Sequence, residues 1–184
     1  TTWNSIVAAY NAVYHGSADT WPGITLRPGS TGQDVRHMQM LLNQVATLYP
    51  GINKQTVDGQ YGQNMTDAVR RFQSQFGLSS DGMLGKNTWN AVVSVQTAEG
   101  SSNPTKVTTP YSGTAMRTGS SGDYVRFLQS YLNALGAKLT VDGQFGTATN
   151  RATQQFQAKM GLPIDGVVGS ATWAKLIPAF NNTL

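Results

Sequence analysis

Nine acidic residues and two histidines are the groups best suited to acid–base or metal chemistry in this 184-residue chain. Four of the acids, Asp58, Asp81, Asp142 and Asp165, stand directly before a glycine. Two carboxylates held at a set separation could cleave a glycosidic bond, one as acid and one as base or nucleophile. The same Asp-Gly pair is also a turn signal, with glycine supplying positive φ without steric cost. His15 and His37 form no His-x-x-x-His pair and no cluster with glutamate, so no zinc motif is written here. A calcium loop starting at Asp58 would place Gln60, Gly62 and Val69 at ligand positions, which excludes an EF-hand. There is no Gly-x-Ser-x-Gly elbow, no phosphate loop and no cysteine, hence no disulfide and no thiolate metal site. The chain as given is expected not to be an enzyme and to carry no metal or cofactor.

The elements around these carboxylates are written twice. VDGQYG at 57–62 returns as VDGQFG at 141–146, with Tyr61 replaced by Phe145. From Val57 to Trp89, 15 of 33 positions are identical to those 84 residues downstream, including Ala68/Ala152, Phe72-Gln73/Phe156-Gln157 and Gly77-Leu78/Gly161-Leu162. Upstream of the phrase the offset is 90, as in Arg27/Arg117, Gly29-Ser30/Gly119-Ser120, Val35-Arg36/Val125-Arg126, Gln39/Gln129 and Leu42-Asn43/Leu132-Asn133. The first copy therefore carries six additional residues within LYPGINKQT, where Pro50-Gly51 marks a loop. A connection lengthened there should leave the core untouched. TTWNSIVAAYN at the start aligns with the segments around Trp89 and Trp173, so 1–20 is expected to be the remnant of an upstream module or a linker helix.

Each copy has helical spacing. Val35, Met38, Leu42, Val45 and Tyr49 recur every three or four residues, as do Val125, Leu128, Leu132 and Leu135. A second helix carries Ala68, Val69, Phe72 and Phe76, or Ala152, Phe156 and Met160, with Gly77 or Gly161 at its end in the left-handed conformation. A third holds Thr88, Trp89 and Val92, or Thr172, Trp173 and Leu176. Ser30 and Ser120 ahead of the first helix are read as caps for its open N–H groups. The class is mainly α: two tandem small three-helix domains, copy one over 21–96 and copy two over 111–184, joined by a polar, Pro-containing linker over 97–110.

With only 12% charged residues and a net charge of +4, the surface must be rich in Ser, Thr, Asn and Gln. Mild basicity over a neutral polar surface fits an anionic glycan or wall polymer better than DNA. The Arg70-Arg71 pair becomes Gln154-Gln155 in copy two, so no nucleic-acid patch belongs to the repeated unit. No apolar run approaches the length of a membrane span.

The order L-R-x-G-S-x-G-x-x-V-R-x-x-Q-x-x-L-N, V-D-G-x-(F/Y)-G, A-x-x-x-F-Q and G-L-x-x-D-G-x-x-G-x-x-T-W resembles the three-helix peptidoglycan-binding domain of bacterial cell-wall hydrolases, over about 26–95 and 116–180. The resemblance implies a module that binds peptidoglycan, extracellularly on cell wall or spore cortex. It also implies a covalently attached upstream domain, either a hydrolase such as an amidase or peptidase, or a further repeat. A regulatory or protein-interaction role on such a hydrolase is the alternative. In animal matrix metalloproteinases, where a similar module is inhibitory, that role needs a cysteine, which this chain lacks.

On this reading the two Asp-Gly loops of each copy converge and leave N–H groups facing outward, where N-acetyl, hydroxyl and carboxylate groups could bind. The candidate ligand-binding residues are Asp58, Gln60, Tyr61, Gly62 and Asp81 in copy one and Asp142, Gln144, Phe145, Gly146 and Asp165 in copy two. Tyr61 and Phe145 are open between a ring tucked into the core and one offered to a sugar. Two weak sites on one polymer would act together.

Overall fold

The computed structural model describes residues 20–97, 106–109 and 111–184. The expected upstream remnant at 1–20 lies outside the described residues, apart from Thr20, as does most of the linker. Among the described residues there are six α-helices and no β-strand. Copy one holds α1 (Gln33–Leu48), α2 (Gln63–Gln75) and α3 (Lys86–Thr97); copy two holds α4 (Asp123–Ala134), α5 (Thr147–Lys159) and α6 (Ser170–Asn181). None is long and apolar enough to cross a membrane.

The apolar spacing in each helix becomes the core. Val35, Met38, Leu42, Ala68, Phe72, Trp89 and Val92 are buried together in copy one, and Val125, Leu128, Leu132, Ala152, Phe156, Trp173 and Leu176 in copy two. Gly77 and Gly161 take φ of 69° and 66°, the left-handed helix ends expected. The serines behave differently from the expectation. Gly32 and Gly122, with no side chain, occupy the positions just ahead of α1 and α4. Ser30 Oγ instead accepts from Arg27 N–H, and Ser120 Oγ from Arg117 N–H, each at 3.0 Å. They brace the preceding turn, while Asp34 and Asp123 place negative charge in the first helical turn.

The segment entering each copy ties its two Asp-Gly loops together. Leu26 exchanges backbone hydrogen bonds with Leu84, and Ser30 and Gly32 bond to Tyr61 and Gly59. Met116 pairs in the same way with Val168, and Ser120 and Gly122 with Phe145 and Gly143.

The six additional residues of copy one are placed by two asparagines. The Asn43 side chain binds the backbone of Gln55, twelve residues on, whereas that of Asn133 binds Leu139, six residues on. Part of the difference is helical: Ala134, the last residue of α4, corresponds to Gln44, yet α1 continues to Leu48. Val45, Tyr49 and Ile52 are all buried. The expectation that the insertion leaves the core untouched is therefore corrected. Its apolar residues leave water partly within copy one and partly against copy two. The Tyr49 ring lies 5.1 Å from Phe76 and 6.4 Å from Phe180 of copy two.

The two copies are also joined by hydrogen bonds through the end of the linker. Thr108 N–H donates to Gln75 O at 2.9 Å in copy one. Thr109 Oγ1 lies 2.7 Å from the Tyr131 hydroxyl, and Thr109 O accepts from Trp173 Nε1 at 3.0 Å in copy two. Val107 exchanges two bonds with the Asn181 side chain.

Candidate functional site

All four Asp-Gly loops are held by one device, a buried glutamine on the helix before the loop. Gln39 of α1 is 2% exposed. Its Nε2 donates to Asp58 Oδ1 (2.8 Å) and Gln60 O (3.1 Å), while its Oε1 accepts from Gly59 N–H (2.8 Å). Gln73 of α2 repeats this on the second loop, binding Asp81 Oδ1 (2.8 Å), Met83 O (3.0 Å) and Gly82 N–H (2.8 Å). In copy two, Gln129 binds Asp142 Oδ1, Gln144 O and Gly143 N–H. Gln157 likewise binds Asp165 Oδ1, Val167 O and Gly166 N–H. Each three-helix unit thus contains the same helix–loop device twice.

Glycine is required at the turn of the first loop of each copy. Gly59 and Gly143 have φ of 75°, and a Cβ there would lie 3.1 Å from the carbonyl oxygen of Gly32 or Gly122. Arg36 closes the loop from outside, donating to Val57 O (2.9 Å) and Asp58 O (3.1 Å); Arg126 does the same to Val141 O and Asp142 O. In both copies this arginine is a backbone clamp.

Each aspartate also accepts, through the same Oδ1, the N–H two residues on: Gln60, Met83, Gln144 and Val167, at 2.8–2.9 Å. The glutamine side-chain bond, then the backbone N–H, holds the Asp58 and Asp142 carboxyls below the usual carboxylate range. For Asp165 the Val167 N–H leads and Gln157 follows, with the same direction. These bonds favour the ionised form and give none of the three the raised pKa a general acid needs. The sequence reading of these aspartates as turn residues matches their geometry.

One expectation about the loops is corrected, and one open reading is decided. Their N–H groups do not face outward: those of residues 59–62 donate to Gln39, Asp58, Ser30 and Gln60 in turn, and those of 143–146 to the corresponding partners. Nor are the aromatic rings platforms for a sugar. Tyr61 and Phe145 are each 2% exposed, and the Tyr61 hydroxyl donates to Gly82 O at 2.8 Å. A side chain following the turn points back under the loop and fills the space between the two Asp-Gly turns. Asp58, Gln60 and Gly62 remain on the surface, as do Asp142, Gln144 and Gly146.

In copy one these surface residues border an open polar cleft of about 230 Å³, with Gln55, Thr56, Gln63 and Asn64 on its walls. Asp81 and Asp165 lie on the second loops, outside the residues that line it. Amides, one hydroxyl and one carboxylate dominate the lining, a set that hydrogen-bonds a neutral polar ligand and has no nucleophile–base pair. The residues sequence reasoning missed are the four glutamines. Their signal was present: Gln39 lies four positions after Val35 and three before Leu42, on the apolar stripe, in both copies. Among the described residues no group of three His, Asp or Glu side chains could hold a metal ion.

The family model described as "Putative peptidoglycan binding domain" matches residues 31–92 and again 121–176. The chain is 32% identical over 166 residues to N-acetylmuramoyl-L-alanine amidase CwlL of Bacillus licheniformis, covering 84% of this chain and 45% of that protein. It is 43% identical over 101 residues to the zinc D-Ala-D-Ala carboxypeptidase of Streptomyces albus G, covering 50% of this chain and 38% of that protein. Among solved structures, the SleB N-terminal domain is similar at 40% identity and a TM-score of 0.38, over 39% of this chain and 99% of that one. The chain spans less than half the length of the two enzymes. With its motifs matched twice, the chain belongs to the peptidoglycan-binding domain family and carries two copies of that domain.

Proposed function

We propose that the chain binds peptidoglycan without cleaving it and holds an attached cell-wall hydrolase on that polymer, outside a bacterial cell. The observation that carries this reading is the state of the candidate carboxylates: in both copies they are bound into loop geometry, on domains of a peptidoglycan-binding family. In this reading 21–96 and 111–184 are the two binding units and 97–110 connects them. Asp58, Gln60 and Gly62, with Asp142, Gln144 and Gly146, offer the exposed polar rim that meets acetamido and hydroxyl groups. Tyr61, Phe145, Asp81 and Asp165 support that rim from behind or beside it. The relatives named as an amidase and a carboxypeptidase supply the kind of catalytic domain that stands beside such a unit.

The test is co-sedimentation with purified sacculi stripped of secondary polymers, across a salt series, with release of soluble muropeptides followed in the same tubes. Retention that survives salt without muropeptide release supports the proposal. Failure to sediment overturns the binding reading, and muropeptide release overturns the non-catalytic one.

A further inference from the structure

The two copies use one groove in opposite ways. In copy one the residues along the groove between the first and second helices are Leu42, Val45, Phe72 and Phe76, the first three of them fully buried. Tyr49 of the insertion packs edge-on against Phe76, Gln75 is fully buried, and Arg71 reaches across to Asp123 of copy two. Copy two lacks the insertion. Its α4 ends at Ala134, and Gly136 (φ 104°) turns the chain aside. The corresponding residues, Leu132, Leu135, Phe156 and Met160, line an open cleft of about 160 Å³. Two positions that are buried in copy one have changed chemistry at its rim: Arg71 is replaced by Gln155 and Gln75 by Lys159, both exposed.

Resting on the peptidoglycan reading, the geometry points to this α4–α5 cleft as a site for the stem peptide of the polymer, a short acidic segment rich in alanine. The apolar floor accepts methyl groups, and the Gln155 amide can pair with a peptide bond. Lys159 supplies the only formal charge in the lining, and no carboxylate lines the cleft to oppose an anionic ligand. The cleft has several times the ~30 Å³ share of one water but is smaller than the ~300 Å³ at which drug-sized pockets begin, which limits it to a few residues of chain.

A second copy of this chain is the competing occupant, because copy two itself covers the matching groove of copy one. The surface it uses includes Asp123, Phe127 and Tyr131 on α4, which that contact already engages. Of the equivalents in copy one, His37 and Leu41 are 1% and 0% exposed. A second molecule therefore presents no uncovered matching face, and charge complementarity selects the peptide.

The experiment is an amide-resolved NMR titration of the full chain with a synthetic L-Ala–D-Glu–diaminopimelate–D-Ala tetrapeptide, run beside sacculus co-sedimentation. Saturable shifts centred on Leu135, Ala152 and Met160 are expected. Lys159→Glu should weaken the peptide about tenfold or more, and the exposed Lys175→Glu, which changes net charge equally, should not. Sedimentation with sacculi but no peptide shifts at these amides, or equal loss in both variants, overturns the cleft assignment and leaves the wall-binding reading standing. Absence of sedimentation overturns the wall-binding reading itself. Shifts at these amides that grow with protein concentration alone would assign the cleft to a second copy and overturn the peptide.

Discussion

Arg71 Nε donates to Asp123 Oδ1 at 2.6 Å, joining a largely buried guanidinium of copy one to a half-exposed carboxylate at the start of α4 in copy two. The pair spans 52 residues of sequence and neither member is repeated: Arg71 corresponds to Gln155 and Asp123 to Gln33. Solvent on the aspartate side screens much of the attraction. Arg71→Ala should lower stability by about 1–2 kcal/mol, with lost stem packing contributing as well as charge. A double-mutant cycle with Asp123→Ala in denaturant should give a coupling of about 0.5–1 kcal/mol; additive effects would show that the pair contributes nothing.

Gln39 is expected to matter more than any exposed loop residue. Gln39→Ala leaves the buried Gly59 N–H without its acceptor and removes a donor from Asp58, at a cost of about 2–4 kcal/mol. Gln39→Glu replaces that donor with an acceptor facing Asp58 Oδ1, so its deficit should shrink as pH falls and the introduced carboxyl protonates. Urea midpoints at pH 7 and pH 5 check both statements.

The Tyr61 hydroxyl bond has a built-in control, since Phe145 fills the same position in copy two without one. Tyr61→Phe should cost about 0.5–1.5 kcal/mol and leave sedimentation with sacculi unchanged. A variant of normal stability that no longer sediments would return the ring to the binding surface.

Asp58, Asp142 and Asp165 titrate below the ordinary carboxylate value of 3.8 in the folded chain. A depressed folded pKa contributes stability that is complete above the unfolded value and is lost as pH falls through the folded one. Melting temperature should therefore be insensitive to these groups near neutrality and fall below about pH 4. Asp58→Asn should flatten that fall in circular-dichroism melts; an unchanged acid limb would place the sensitivity elsewhere.

A Cβ on Gly51 would lie 2.7 Å from Gln75 Nε2 and 2.9 Å from Phe127 Cδ1, one neighbour in each copy. Gly51→Leu should force the copies apart at a cost of about 1–3 kcal/mol. Calorimetry is expected to give one transition for the parent chain and two for this variant.

What the sequence made legible is what local chemistry encodes. Val35, Met38 and Leu42 announce a helix face, Asp58-Gly59 announces a turn, and their return at 125–143 announces a second unit. The partners of Gln39 and Arg36 were not legible, because a polar side chain in a helix does not state which distant backbone it will bind. Outward N–H groups were expected from the loops in isolation; Gln39 and Ser30 from afar, and Asp58 and Gln60 from within the loop, take them. The contact between copies was hidden for a further reason: Tyr49, Gly51, Arg71 and Thr109 occur once each, so no repetition draws attention to them.

Val107, Thr108 and Thr109 are bound on one side to Gln75 and on the other to Tyr131, Trp173 and Asn181. A free tether would let each unit find its own place on a polymer, with cooperation set by tether length. A seam stitched from both sides fixes the stride instead. On the proposed reading, two rims held in one orientation would respond to the spacing and winding of a repeating strand, and a strand with the wrong pitch would engage only one of them. The short seam would then make a gauge of two adhesive patches.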